Sequence, residues 1–172
     1  ILEKNAANYG KEIALVEREP AKNIRRQITW DEFNSHANSI ANSLIAMGIK
    51  KQDKVIQLMM NALEWLPVYF GILRSGAWAV PLNFRLSADD IMMCAETAQA
   101  KVFIFGEEFI DRINSIKACL DKTVVTYIFV GNDNKCPDYA RQYEDIFLSG
   151  SIINPKIKIK PSDSAALYFT SG

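Results

Sequence analysis

The chain has 172 residues, 49% of them hydrophobic, and its 20 Lys and Arg balance 20 Asp and Glu. That length suits one domain with a real core, or one lobe of a larger one. Zero formal charge gives no electrostatic case for nucleic acid or an anionic membrane, and no apolar run is long enough to cross a bilayer.

Cys94, Cys119 and Cys136 are odd in number and far apart, with neither metal-ligand spacing nor a disulfide framework. They read as neutral thiols of a reducing compartment. No signal peptide is visible in these residues, and one removed ahead of Ile1 would leave no trace.

Short apolar runs alternate with longer segments of helical period. Residues 13–16 read as a strand, and residues 27–30 as its hairpin partner across a polar loop. Thr29 opens a capping box with Glu32. Phe33, Ala37, Ile40, Ala41 and Leu44 follow on one helix face, and Gly48 stops that helix. Residues 54–60 form the next strand. Asn61 and Glu64 are the expected caps of a second helix, with Pro67 tolerated in its first turn. That helix is apolar nearly all round, so burial on most sides is expected. Gly76 ends it, and residues 77–82 follow as a strand.

The cycle then repeats. Ser87 and Asp90 open a helix to about Gln99, and residues 102–105 form a strand. A helix over 107–120 precedes a strand over 124–130. Residues 131–138 are a polar turn region and 139–148 a short helix. Residues 149–163 form a linker, in which alternating Lys and β-branched residues at 156–160 suit an exposed, lysine-guarded segment. The run 165–169 reads as a buried strand leading straight into Thr170, Ser171 and Gly172. Strands separated by helices in this way predict an α/β fold, a layered parallel sheet with helices on both faces. Ligands of such sheets sit beyond the carboxyl ends of the strands, where Thr170 is expected. Short side chains there let backbone N–H groups and hydroxyls crowd around a polyphosphate.

Three stretches together resemble the adenylate-forming superfamily, which includes acyl-CoA synthetases, luciferases and peptide-synthetase adenylation domains. Ile28-Thr29-Trp30-Asp31-Glu32-Phe33 resembles its first core motif, and Leu73-Arg74-Ser75-Gly76 through Val80-Pro81-Leu82-Asn83 its second. Tyr168-Phe169-Thr170-Ser171-Gly172 is similar to the opening of its phosphate loop, with Phe169 in place of the usual tyrosine. The Pro81-Leu82-Asn83-Phe84-Arg85-Leu86 stretch resembles acid–CoA ligases more than peptide-synthetase domains.

The resemblance implies a two-step reaction. A carboxylate, expected to be that of a fatty acid, attacks the α-phosphorus of ATP to give an acyl-adenylate and pyrophosphate. The thiol of coenzyme A then displaces AMP. It implies ATP, Mg²⁺ and coenzyme A, a cytoplasmic setting, and a small-molecule acid as partner. It makes residues 1–172 the first α/β subdomain of the large N-terminal domain, cut within the phosphate loop. The lysine of that loop, the Mg²⁺-holding acid and the mobile domain's lysine belong to later motifs, so these residues alone are expected to be inactive. An adenylation domain loading a carrier protein, or a non-catalytic interaction module, are the alternatives.

By the same resemblance, Thr170, Ser171 and Gly172 are candidates for the ATP phosphates. Arg85, just past a strand's carboxyl end, is a candidate for a coenzyme A phosphate, with a solvated loop arginine as the alternative. His36, the only histidine, is expected on a solvated helix face beside Asn34, Ser35 and Asn38. Without a second histidine no Ser/His/Asp or Cys/His arrangement can be built. Trp30, Trp65, Tyr69, Phe70 and Trp78 are expected to pack in or near the core.

Overall fold

The computed structural model describes residues 1–170. Helix α1 (Leu2–Tyr9) leads into an antiparallel hairpin of β1 (Ile13–Glu19) and β2 (Ile24–Thr29), turned by a 3-10 stretch at Pro20–Lys22. With only Leu2 and Ala6 buried, α1 shows too little apolar periodicity to be legible. The chain continues through α2 (Trp30–Ala46), β3 (Lys54–Leu58), α3 (Trp65–Arg74), β4 (Trp78–Pro81), α4 (Ala88–Ala98) and β5 (Val102–Gly106). Then come α5 (Ile110–Leu120), β6 (Thr126–Val130), β7 (Ala140–Gln142) and α6 (Tyr143–Ser149).

The strands β4-β3-β5-β6-β7 form one sheet that is parallel throughout. Alternate residues divide between its faces. Ile56, Leu58, Phe103, Phe105 and Phe129 pack with Ile91 and Ala95 of α4 and Ile113 and Leu120 of α5. Val55, Ala79, Val102, Ile104 and Ile128 pack with Ile40, Leu44, Val68, Ile72 and Ile146 of α2, α3 and α6. Every position of β5 is buried, as a central strand covered on both faces requires. Burial of each large side chain contributes about 1.5–3 kcal/mol. A one-residue slip would exchange Phe103 and Ile104 between faces, so this burial also fixes register.

The helix boundaries follow local chemistry. The Thr29 hydroxyl accepts from the Glu32 N–H (3.3 Å), and the Glu32 carboxylate accepts from the Thr29 N–H (2.7 Å). Ser87 and Asp90 repeat that exchange at α4. After α2 and α3 the chain turns at Gly48 and Gly76, with φ of +88° and +83°, which L side chains rarely adopt.

Four expectations need correction. Neither Asn61 nor Glu64 caps α3 through its side chain. Glu64 holds the N-cap position, but its carboxylate pairs with Arg26 instead (2.7 Å). Residues 139–148 are not one helix. Ala140–Gln142 pairs along β6 as an edge strand, and the helix starts at Tyr143. The run 165–169 is not a buried strand. It makes one parallel bridge, Ala79↔Ala166, on the outer edge of β4, with Tyr168 62% and Phe169 37% exposed. Among the described residues no strand lies on its far side.

The polar face of α2 is also not solvated. Asn38, Ser39 and Ser43 are buried, and His36 is half-buried with its ring centroid 4.2 Å from that of Phe147. The Ser43 hydroxyl donates to the Ile146 carbonyl (2.9 Å), and Ser39 donates to that of Phe147. Asn38 and Asn42 donate to carbonyls of Ile152, Ser151 and Ile153. Carbonyls of the last turn of α6 and of the irregular segment 151–153 have acceptor capacity left over, and a donor-rich face is the one that can cover them.

Candidate functional site

All the sheet strands point their carboxyl ends to one edge. The chain moves from β3 out to β4, then crosses to β5, so the direction of winding reverses between β3 and β5. A cleft of about 430 Å³ lies at that reversal, between the strand ends and the β1–β2 hairpin. The hairpin is held there by charge. Arg26 of β2 pairs with Glu17 of β1 and with Glu64 at the start of α3, and Glu17 also accepts from the Leu63 N–H (3.3 Å). The cleft is acidic, with Glu17, Glu19, Glu64, Glu107, Glu108 and Glu144 against Lys22 and Arg26. Burial pushes the Glu144 carboxyl up, and the negative charge of Glu64 adds to that. Lys135 holds the Glu107 carboxyl below its ordinary range. This cleft therefore disfavours a polyphosphate.

The other half of the edge, past β4, is different. The Arg112 guanidinium of α5 donates to the carbonyls of Phe84 (2.7 Å) and Leu86 (3.1 Å). The Asn83 side chain accepts from the Arg85 N–H (3.0 Å), so the backbone of this loop is fixed from both sides. The Arg85 guanidinium is exposed, lies 5.4 Å from the Phe84 ring, and has no acidic partner among the described residues. It is thus open to an anion. Thr170, also exposed, lies as far along its own run from Ala166 as Asn83 lies from the bridge partner Ala79. Arg85 and Thr170 thus leave neighbouring segments on the same side of the sheet. Ser171 and Gly172 lie outside the described residues.

The aromatic candidates pack as expected. Trp65 stacks on Tyr69 (5.5 Å between centroids), and Phe70 meets Phe33 edge-on (5.4 Å). One contact had no sequence signal: the hydroxyls of Tyr69 and Tyr168 lie 2.9 Å apart. Burial, and then that hydrogen bond, push the Tyr69 phenol up to about 12. His36 is held below its ordinary value by burial, and among the described residues it makes no side-chain hydrogen bond to a hydroxyl or thiol. The cysteines are free, and burial raises the Cys94 thiol. Among the described residues no group of three or more His, Cys, Asp or Glu side chains is placed to hold a metal ion. Nor is any helix long and apolar enough to cross a membrane.

Residues 2–172 match the model of the AMP-binding enzyme family. The chain belongs to that family. This AMP-binding enzyme chain is 29% identical over 154 residues to the long-chain-fatty-acid–CoA ligase FadD13 of Mycobacterium tuberculosis, covering 90% of this chain and 29% of that protein. It is 28% identical over 148 residues to the 3-hydroxybenzoate–CoA/4-hydroxybenzoate–CoA ligase of Thauera aromatica, covering 86% of this chain and 28% of that one. The solved structure of the anthranilate CoA ligase AuaEII superposes with a TM-score of 0.90 at 24% identity, over 99% of this chain and 31% of that one. The chain therefore spans under a third of the length of these relatives, and the last likeness speaks for the fold alone. The layered parallel sheet expected from the sequence is the fold of this family.

Proposed function

We propose that the protein carrying this chain is an acid–CoA ligase. It would join a carboxylic acid to AMP at the expense of ATP, and pass the acyl group to coenzyme A. The observation that carries the reading is the family match over residues 2–172, together with the similarity to relatives named as CoA ligases of a long-chain fatty acid and of hydroxybenzoates. A fatty acid is the substrate class we favour, in a cytoplasmic enzyme. Residues 1–172 would form the first subdomain and end inside the phosphate loop.

The residues past β4 suit an anion and those of the acidic cleft do not. In this reading Thr170, with Ser171 and Gly172, donates hydroxyl and backbone N–H bonds to the ATP phosphates, where negative charge moves as pyrophosphate leaves. Arg85 gives a coenzyme A phosphate two parallel charge-assisted bonds. Mg²⁺, carried in with ATP, would spread the polyphosphate charge; the described residues offer it no ligand set. Lysines and acids contributed by other parts of such an enzyme would complete the chemistry, so this chain by itself should not turn over.

The test is acid-dependent ATP–pyrophosphate exchange by the full-length protein, against a panel of fatty and aromatic acids. Exchange with one acid class, followed by thioester formation with coenzyme A, is the expected result. Exchange without transfer to coenzyme A would favour a carrier-protein acceptor. A folded protein that binds ATP and exchanges with no acid would refute the reading.

A further inference from the structure

The run 165–170 is held lightly. Among the described residues its attachments to β4 are the Ala79 N–H to the Ala165 carbonyl (3.0 Å) and the Leu167 N–H to the Ala79 carbonyl (2.9 Å). Leu167 turns to the α4–α5 face and Ala166 to the α2–α3 face, so alternation sends Tyr168 toward α3. There its hydroxyl meets that of Tyr69 at 2.9 Å, two residues before Thr170. Tyr69 is a fixed post. Val68 and Ile72, which flank it on α3, are fully buried, and its ring stacks on Trp65. Its phenol, held up to about 12 by burial, remains a neutral donor and acceptor across the physiological range.

We propose that Tyr69 is a positioning residue for the phosphate-binding loop, acting through the Tyr168 hydroxyl. This rests on the reading of Thr170, Ser171 and Gly172 as that loop. Without the bond, the last described tether would be the Leu167 N–H, and ATP would have to order the intervening residues as it binds.

The test uses the full-length protein with Tyr69→Phe, Tyr168→Phe and both together. Each variant keeps its ring and its packing. MgATP binding is measured by calorimetry, and KM values come from acid-dependent pyrophosphate exchange. Loss of one hydroxyl–hydroxyl bond should weaken MgATP binding and raise the ATP KM about fivefold, with the acid KM unchanged. The double variant should be no weaker than either single one. An unchanged ATP KM in Tyr69→Phe, a change confined to the acid KM, or single effects that multiply would each overturn the proposal. A wild-type protein that binds no MgATP would overturn the phosphate-loop reading itself, a result seen without any variant.

Discussion

Gly71 sits where α3 crosses α2, and a methyl group there sets two effects against each other. A Cβ at this position would meet Ile40 Cβ and Cγ2 at 2.7 Å and the Ala37 carbonyl at 3.2 Å. Alanine in place of glycine within a helix gains about 1 kcal/mol. Ordinary carbon contacts lie near 3.5–4.0 Å, so the helices must part by roughly 1 Å. Overpacking of this kind costs about 1–3 kcal/mol. The upper half of that range applies because Ile40 Cβ is bound to the backbone and cannot rotate away. The crossing also buries Ala37, Val68 and Ile72 completely. The net expectation for Gly71→Ala is a loss of about 1–2 kcal/mol, or about 5 °C in Tm for a chain of this size. Thermal and urea unfolding followed by circular dichroism measure it. Ile40→Ala removes the clashing Cγ2 but keeps Cβ, so the double variant should lose only somewhat less than the two single losses added, by about 0.5 kcal/mol or more. A Tm equal to or above wild type in Gly71→Ala would show that α2 and α3 do not approach this closely.

The remaining predictions concern a proton and an anion. Burial lowers the His36 pKa from its ordinary 6.5, with Glu32 and Glu64 opposing weakly. The unfolded chain therefore takes up the proton first. This contribution to stability is complete above about pH 6.5 and is lost as pH falls through the folded midpoint. As the only histidine, its ring can be followed directly by NMR; a midpoint at or above 6.5 would contradict its packing against Phe147. In the full-length enzyme, Arg85→Ala should raise the coenzyme A KM about tenfold while sparing that of ATP. Because two parallel bonds are at stake, Arg85→Lys should not restore it; equal coenzyme A KM values in all three proteins would return Arg85 to a solvated loop.

What was legible in the sequence is what local chemistry writes locally. Thr29 with Glu32 and Ser87 with Asp90 each specify a helix start within four residues, and Gly48 and Gly76 mark where helices end. The apolar run 102–105, too short for a helix and set between two helical segments, reads as a strand covered on both faces, and from such alternation the parallel sheet follows. What was illegible depends on a distant partner. Ala140–Gln142 is a strand because β6 offers it a ladder. Glu64 fails as a side-chain cap because Arg26 reaches it from the hairpin. The donor-rich face of α2 reads as solvated until the carbonyls of α6 and residues 151–153 are seen lying on it. At the site, Arg85 and Thr170 were named from motifs, whereas the Tyr69–Tyr168 contact joins residues 99 positions apart and no local pattern carries it.

The two halves of the carboxyl edge show why position alone does not assign a site. The winding reversal between β3 and β5 would by general topology be the first place to seat a nucleotide. Charge argues against it. Two like unit charges about 8 Å apart repel by about 2 kcal/mol at an effective dielectric constant near 20. A polyphosphate in the cleft would face Glu17, Glu64, Glu107, Glu108 and Glu144, with Arg26 already committed to two of them. Past β4, by contrast, Arg85 is exposed without an acidic partner among the described residues, and the loop that carries it is pinned by Arg112. The hairpin thus makes the reversal point a charge-clamped structural joint. The exposed guanidinium of Arg85 lies instead on the side where the run 165–170 bridges onto β4.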